Sequence, residues 1–482
     1  MNSRALFTSM ILALIITTVL GPGMAQPPTQ AAAIAADPAS PAPASLPNLP
    51  VGDRIWNLGY IDGLNNTLNI GAEPSLAFDT VANTPWISYY NNTTQDLVLG
   101  RWVGSGGNCA FGAWWCPKVD EIGDVGLGSS LAIHDQVSTL GGKLGISYYD
   151  ATNKRLKFAQ WACTPTCNWT FYLFPSGTAT FDSGRYSSLK YNSLGEPQIA
   201  YTYNSTTPGN PWSAMKFCKW VGSGGDTAGG AFSCEYVEQL PVLNCCTNPS
   251  LALDPTNDIP SIAYYDGQFA NLRYAVRGAN GSGDCSDTDW FCSWIDFTGD
   301  VGKYPSLDIV QKKDGGVRMG IAYYDATNGK LKYAHPVAGT GNCGTLIGGL
   351  SYWQCDTVDT MGLGVPQPSV SLVMDNQASP YIAYQDFGAV HKALKIARLP
   401  GTVGLLDGNC GPVVGVLHSF RCDVLDPGAN GVAGNSNDGF FPSIARSPAG
   451  LIYVAYKEYI DASGSLKLAF QSFSTYLPII RK

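Results

Sequence analysis

The sequence has little charge and few histidines, and beyond its N-terminus it lacks long hydrophobic runs. Only 14% of the 482 residues are Asp, Glu, Lys or Arg, and the net charge of −8 comes without a basic block. This composition argues against nucleic acid or an anionic membrane surface as the main partner. The four histidines are scattered and no Cys-x-x-Cys spacing occurs, so no zinc-ligand motif is present.

The N-terminus has the features of a secretory signal peptide. Arg4 precedes a mostly apolar segment, and the small residues Gly23 and Ala25 suit a cleavage site. We expect residues 1–25 to be the signal peptide, and a retained membrane anchor is the alternative. The protein is therefore predicted to be secreted, extracellular or at the cell surface.

The fourteen cysteines fall mostly into close pairs, which predicts disulfides in an oxidising compartment. Zinc is the alternative for these pairs. Cys245 and Cys246 differ because they are adjacent, and a strained vicinal bridge at the floor of a binding pocket is one hypothesis. Free thiols or bonds to other cysteines are the alternatives. The other pairs are predicted to be Cys109 with Cys116, Cys163 with Cys167, Cys218 with Cys234, Cys285 with Cys292, Cys343 with Cys355, and Cys410 with Cys422.

One short cassette recurs seven times, and it determines the predicted fold. It reads Pro-Ser-Leu-Ala, a polar turn, Ile-Ala-Tyr-Tyr-Asp, and then Leu-Lys-Tyr-Ala. In the fifth copy the pattern predicts strands at 306–310, 319–324 and 331–334, with a fourth at 353–358 after a Gly-rich loop. The serines that open the copies are Ser75, Ser130, Ser188, Ser250, Ser306, Ser369 and Ser443.

Seven units of four strands predict an all-β fold, a seven-bladed β-propeller with four-stranded blades. The period is too short for tandem immunoglobulin-like sandwiches. The last copy has only three strands, and residues 54–63 resemble the missing fourth one. We therefore expect an N-terminal strand to close the ring. The predicted propeller covers 51–473, between a Pro/Ala-rich linker at 26–50 and a tail at 474–482.

Acidic and amide residues follow the tyrosine pair in nearly every copy, on the face shared with the loops that enter each first strand. A ring of ligands for calcium or sugar hydroxyls is the functional hypothesis. Capping of the turn by these side chains is the alternative, which their recurrence favours. No cofactor is predicted, and calcium is left open. The set is Asn91, Asp150, Asp266, Asp325, Asp386 and Glu458.

The residue before the Pro-Ser or Ser-Ser step varies, as a binding site at the channel mouth requires. Aromatic faces stack on sugars, whereas amide, guanidinium and carboxylate groups bind hydroxyls. Ordinary loop variation is the alternative. Around the ring the residues are Glu73, Gly128, Tyr186, Asn248, Tyr304, Gln367 and Phe441, with Arg185 and Lys303 one residue further out. All of these except Gly128 are predicted to bind the ligand.

The cassette at 321–334 resembles repeats of secreted bacterial propeller proteins. It is distantly similar to the sialidase and bacterial-neuraminidase-repeat group and to propeller lectins, over about residues 51–470. The resemblance implies glycan binding or glycoside chemistry. It also implies three arginines and an Asp-box for a sialidase, yet only Arg185 is an arginine among the mouth residues, and Ser-x-Asp-x-Gly-x-x-Trp is absent. Sialidases usually have six blades.

These observations predict a non-catalytic binding protein that recognises glycans or an extracellular protein at the channel mouth. A monomer is expected, and a membrane is a partner only if the signal segment is retained. No catalytic or metal-binding residue is predicted. The alternatives are a sialidase-like glycoside hydrolase or polysaccharide lyase, and a structural cell-surface module.

Overall fold

The structure is a computed structural model that describes residues 54–473 with short gaps. The predicted signal peptide, linker and tail lie outside the described residues. No helix in the described part of the chain is long and apolar enough to cross a membrane. The gaps are 64–67, 135–136, 138–141, 164–165, 176, 179, 242, 244, 279–282, 346–351, 365–366, 388–391, 401–407, 415–416, 429–435 and 461–462.

The described residues form thirty strands and no helix. In chain order the strands are β1 Arg54–Asp62, β2 Ile70–Asp79, β3 Thr84–Asn91, β4 Asp96–Trp102, β5 Trp114–Trp115, β6 Lys118–Asp120, β7 Val125–His134, β8 Lys143–Asp150, β9 Arg155–Cys163, β10 Cys167–Leu173, β11 Phe181–Tyr191, β12 Pro197–Ser205, β13 Trp212–Trp220, β14 Phe232–Leu240, β15 Thr247–Leu253, β16 Pro260–Asp266, β17 Asn271–Arg277, β18 Trp290–Asp296, β19 Val301–Gln311, β20 Val317–Asp325, β21 Lys330–Pro336, β22 Trp353–Thr360, β23 Val370–Met374, β24 Pro380–Asp386, β25 Ala393–Arg398, β26 Cys410–Val414, β27 Leu417–Asp426, β28 Ser436–Arg446, β29 Ile452–Ile460 and β30 Ser463–Phe473.

These strands form seven antiparallel sheets, which are the blades of a β-propeller. Blade 1 contains β2 to β6, blade 2 β7 to β10, blade 3 β11 to β14, blade 4 β15 to β18, blade 5 β19 to β22, and blade 6 β23 to β27. Blade 7 combines β28, β29 and β30 with β1. The predicted fold class is confirmed, and the short β6 and β26 are additions to the four-stranded pattern.

The ring is closed by the N-terminal strand, as predicted. β1 pairs antiparallel with β30 from Arg54 opposite Phe473 to Asp62 opposite Leu466. The first strands of neighbouring blades also contact one another around the ring, including β28 with β2. Closure therefore gives the first strand of every blade a neighbouring first strand on each side. In addition, β1 covers an edge of blade 7 that could otherwise pair with another chain.

A serine hydroxyl links each first strand to the first strand of the next blade. The Oγ of Ser75 accepts a hydrogen bond from the N–H of Leu131 at 2.9 Å, and the Oγ of Ser443 accepts one from Leu76 at 2.9 Å, which completes the ring. The same bond recurs at all seven junctions. The remaining pairs are Ser130 with Leu189, Ser188 with Leu251, Ser250 with Leu307, Ser306 with Leu372, and Ser371 with Ile444.

In blade 6 the serine of this ring is Ser371, and the prediction of Ser369 was wrong. Ser371 Oγ accepts from the Ile444 N–H at 3.1 Å, and β23 begins only at Val370. The sequence Pro368-Ser369 matches the Pro-Ser motif of the other copies, but in the structure Ser371 occupies the position equivalent to the serines of the other blades. Two additional residues therefore precede the first strand of this blade.

A buried tyrosine binds a carboxylate of the preceding blade at six of the seven junctions. Tyr323 donates to Asp296 at 2.7 Å, and Lys332 forms an ion pair with the same carboxylate. Because these groups are buried, removing one partner of such a pair typically costs about 3–5 kcal/mol. The other tyrosine–acid pairs are Tyr89 with Asp62, Tyr148 with Asp120, Tyr264 with Glu238, Tyr384 with Asp359, and Tyr456 with Asp426.

All six predicted disulfides between neighbouring cysteines are present. Each closes a loop near the fourth strand of its blade. Among the described residues no cysteine is free. Seven disulfides, counting Cys245–Cys246, are a feature of proteins in oxidising compartments, where such bonds persist.

The serine ring predicts unequal effects for two neighbouring serines. Ser371→Ala leaves the Ile444 N–H without its acceptor, so we expect the free energy of unfolding to fall by about 1–2 kcal/mol. Ser369→Ala is the matched control and should change it by less than about 0.5 kcal/mol. Equal losses in chemical denaturation of the two variants would contradict the alignment described above.

Candidate functional site

Six of the seven variable residues predicted at the channel mouth lie at bulges in the first strands. In blade 5 the pairing register shifts between Lys303 and Ser306, so Tyr304 has no regular partner on β20. The equivalent shift occurs in every blade except blade 6. Bulges re-aim side chains out of a sheet and often occur beside binding sites. The five mouth residues with a positive φ, between 49° and 61°, are Glu73, Gly128, Asn248, Tyr304 and Phe441.

Four of these residues carry side chains that disfavour a positive φ. For a residue with a Cβ atom the left-handed conformation costs roughly 1–2 kcal/mol. The aromatic side chains of Tyr304 and Phe441 cannot offset this conformational cost with a hydrogen bond to the adjacent backbone, as a short polar side chain can. Such strain is found preferentially where a site needs a particular geometry.

All seven variable residues line one cavity of about 260 Å³ at the mouth of the channel. Its wall also contains the prolines and serines that follow them, including Pro305 and Ser443. A cavity of about 300 Å³ elsewhere is lined by residues 357–360 and 409–412 with Lys330. We favour the mouth because every blade contributes to its wall.

The aromatic residues of the mouth leave polar atoms for a ligand. Tyr186 and Tyr304 are half-buried, and no hydrogen bond of either hydroxyl occurs within the described residues. Burial raises the pKa of both phenols, so each hydroxyl stays protonated at neutral pH and can donate. The side-chain amide of Asn248 is likewise not engaged by any described residue. The mouth thus combines ring faces with donors and acceptors.

The charges of the mouth neutralise each other. The guanidinium of Arg185 donates to both carboxylate oxygens of Glu73, at 3.3 and 3.4 Å, and it lies 5.2 Å from the ring centre of Tyr186. The Gly128 N–H donates to the same carboxylate. Arg185 is therefore held at the edge of the cavity through Glu73, although it does not line the wall.

Two of the predicted residues are placed differently from the rest. Lys303 does not line the cavity, because its ammonium donates to Asp300 at 2.6 Å and lies over the ring of Tyr265. Gln367 does line the wall, but it precedes β23 and occupies no bulge, since blade 6 has two additional residues there.

The Cys245–Cys246 pair is a vicinal disulfide, but it is not the floor of this pocket. Both residues are fully buried and pack in the core with Met215, Leu251 and Trp290. The pocket-floor hypothesis was wrong, because both cysteines pack in the core and neither lines the cavity at the mouth.

The carboxylates after the tyrosine pairs mostly cap turns. Asp150, Asp266 and Asp325 each accept a backbone N–H two or three residues on, at 2.9 Å, and Asn91 does the same. Asp386 instead pairs with Lys395. No cluster of three or more potential metal ligands occurs among the described residues. The turn-capping interpretation is confirmed for the first four.

Blade 7 departs from this pattern, because three carboxylates surround one ammonium. Lys467 lies within 4 Å of Asp426, Asp438 and Glu458. Asp438 is 0% exposed, and neither of its carboxylate oxygens accepts a hydrogen bond from a described residue. Burial, reinforced by the two neighbouring carboxylates and opposed by Lys467, raises the pKa of Asp438 to about 7.

Sequence reasoning missed two features near these positions. It did not pair the recurring lysine of Leu-Lys-Tyr-Ala with the acid that ends the preceding fourth strand, although both recur at fixed places. It also missed an aromatic cluster in blade 3 around Tyr203 and Trp212. The signal for that cluster was the departure of Tyr201-Thr202-Tyr203 from the Tyr-Tyr-Asp pattern.

Comparison with known proteins does not assign the chain to a family. No family model matches it, and no curated protein matches it significantly. A mutant of Aleuria aurantia lectin in complex with Fucalpha1-6GlcNAc aligns at 10% identity and TM-score 0.42, over 76% of this chain and 99% of the lectin. Polysaccharide lyase Uly1 aligns at 10% identity and TM-score 0.38, over 82% of this chain and 88% of the lyase. An alpha-L-arabinofuranosidase from Lactobacillus brevis aligns at 10% identity and TM-score 0.32, over 70% of this chain and 85% of the enzyme.

These similarities are too low to transfer a site or a ligand. The assignment of the fold rests on the strand order, and the resemblance to sialidase repeats stays a prediction.

Backbone strain at the mouth can be measured with two pairs of variants. Tyr304→Gly and Tyr304→Ala remove the same ring, but only alanine must retain a Cβ at a φ of 49°. We expect the glycine variant to be more stable by about 1 kcal/mol in chemical denaturation. At Tyr186, where φ is not positive, alanine should be the more stable variant. The same order at both positions would contradict the proposed strain.

The buried carboxylate of blade 7 predicts a pH-dependent effect. The raised pKa means that folded protein holds the Asp438 proton more tightly than unfolded protein, so this residue's contribution to stability falls as pH rises from about 4 to about 7. Asp438→Asn should therefore raise the free energy of unfolding at pH 8, on the order of 2 kcal/mol, and less at pH 5. A variant that is destabilised at pH 8 would show that the ionised carboxylate is needed.

Proposed function

We propose that the protein is an extracellular, non-catalytic glycan-binding protein that holds a neutral sugar at the channel mouth. The observation that carries this proposal is the convergence of side chains from all seven blades on one cavity, five of them at positions of positive φ. A fold built only for rigidity has no reason to retain Tyr, Phe and Glu at such positions.

The chemistry of the wall favours a sugar without charge. Glu73 is already bound by Arg185, so the mouth offers no unpaired charge to an ionic ligand. The rings of Tyr186, Tyr304 and Phe441 supply apolar faces for the C–H side of a pyranose. The phenol hydroxyls and the Asn248 amide supply the few oriented polar groups that such a site needs.

A glycoside hydrolase would require more acid groups than the described residues of the mouth offer. Glycoside hydrolysis generally uses two carboxylates, about 5–5.5 or 6.5–9.5 Å apart. Among the described residues that line the cavity, Glu73 is the only carboxylate. The binding function is therefore the one that this wall favours.

A glycan-array screen of the purified protein, with and without calcium, tests the proposal. We expect selective binding of neutral glycans and at least tenfold weaker binding for Tyr304→Gly and for Asn248→Gly, because each removes a group of the wall without adding strain. Leu194→Ser is the control, since this exposed residue lies in the turn between the first and second strands, which is at the opposite end of the blade. If the mouth variants bind like the wild type, the site is not at the mouth. Absence of any glycan binding would overturn the proposal as a whole.

A further inference from the structure

The junction between blades 2 and 3 lacks the acid that the other six junctions share. The N–H of Phe174 donates to the carbonyl of Leu156 in blade 2. In blade 1 the equivalent leucine, Leu97, pairs with Asp120, so Phe174 stands at the position of the acid. The ring of Phe174 is 1% exposed and lies 5.9 Å from that of Tyr201. A phenyl ring therefore replaces the carboxylate in front of the junction tyrosine.

The cation that normally binds this acid is nevertheless retained. Lys216 stands opposite Tyr201 on the neighbouring strand, as Lys332 stands opposite Tyr323 and Lys157 opposite Tyr148. No ion pair or hydrogen bond of the Lys216 ammonium occurs within the described residues, whereas the other two lysines bind carboxylates.

Two tyrosine rings flank the ammonium of Lys216 instead. Its Nζ lies 5.2 Å from the ring centre of Tyr203 and 4.5 Å from that of Tyr236. Burial lowers the pKa of Lys216, and the carboxylate of Asp226, which forms no ion pair with it, opposes this shift only in part. Cation–π contacts offset part of this cost, but they leave the donor hydrogens of the ammonium without acceptors.

The same rings belong to a partly exposed aromatic cluster on blade 3. Tyr203 stacks on Trp212 with ring centres 5.5 Å apart, and Tyr236 and Phe181 contact both rings. Tyr236 is 38% exposed, and the other three rings are half-buried.

Blade 4 shows why this arrangement is unusual. There the guanidinium of Arg273 lies 5.3 Å from the ring centre of Trp294, which is a similar cation–π contact. Arg273 also forms an ion pair with Glu238 of the preceding blade. Within the part of the chain that the structure describes, the aromatic contact coincides with the loss of the acid only in blade 3.

We propose that this junction is a second binding site, which takes a uronic acid residue of an acidic glycan. The ligand carboxylate takes the role of the missing acid and accepts hydrogen bonds from Lys216. The C–H face of the pyranose packs on the surface of Tyr203, Trp212 and Tyr236. A charged group meeting a desolvated, unpaired ammonium gains more than it would on an exposed lysine. The stacked rings of Tyr203 and Trp212 favour a sugar over an acidic peptide.

Calorimetric titration of the full protein with trigalacturonate tests the site. The fully methyl-esterified trimer is the matched probe, because it has the same sugar rings without the charge. We expect the acid form to bind at least tenfold more tightly than the ester, and Lys216→Met to remove that difference. Lys219→Met is the control variant, since Lys219 lies three residues on along β13 and points to the other face of the sheet. Tyr304→Gly should leave trigalacturonate binding unchanged, which separates this site from the mouth.

A second measurement needs no variant at Lys216. Acetylation of the wild-type protein, followed by mass spectrometry, should show that trigalacturonate protects Lys216 but not Lys219, and that the ester protects neither. Absence of protection would overturn the proposal, as would equal binding by wild type and Lys216→Met. Tighter binding of pentaglutamate than of trigalacturonate would overturn the sugar assignment in favour of an acidic peptide.

Discussion

The architecture depends on a hydrogen bond that repeats around the channel, from the backbone N–H of one first strand to the serine hydroxyl of the preceding blade. The first strands of neighbouring blades contact one another all around the ring, so each blade is positioned by its two neighbours. Because the bond from the Leu76 N–H to the Ser443 hydroxyl joins the first blade to the last, the ring is complete only when both ends of the propeller are folded. The pairing of β1 with β30 reinforces the same closure at the outer edge of blade 7.

This closure explains why the mouth can vary. The serine and the tyrosine–carboxylate pair hold the blades together, and these contacts do not require the bulged residue to be the same in each blade. Glu73, Asn248, Tyr304 and Phe441 can therefore differ from one another while they occupy the same left-handed backbone position. A constant scaffold with a variable mouth suits binding, because the residues of the mouth can change without unfolding the ring.

Departures from the repeat carry the most information about function. Where all groups of the repeat are present, as in Tyr323, Asp296 and Lys332, they satisfy one another and offer nothing to a ligand. Where one group is missing, its partners are left available. Phe174 in place of an acid leaves Lys216 without an ion pair, and in blade 7 the carboxylate of Asp438 accepts no hydrogen bond from a described residue. The first arrangement is open to solvent and suits a ligand, whereas the second is sealed and affects only stability.

The sequence by itself determined the number of blades, the strand order, the closing strand and six disulfides, because each follows from a pattern that recurs at a fixed spacing. It also predicted the seven variable residues that line the mouth, since equivalent positions of a closed repeat share one end of the channel. The tertiary structure alone decided that Ser371 replaces Ser369, that Lys303 binds Asp300 outside the cavity, and that Cys245–Cys246 lies in the core. These outcomes depend on the register between strands, on competition between neighbouring charges and on the path of one turn. None of the three is encoded in a local pattern, and for this reason repeat spacing could not reveal them.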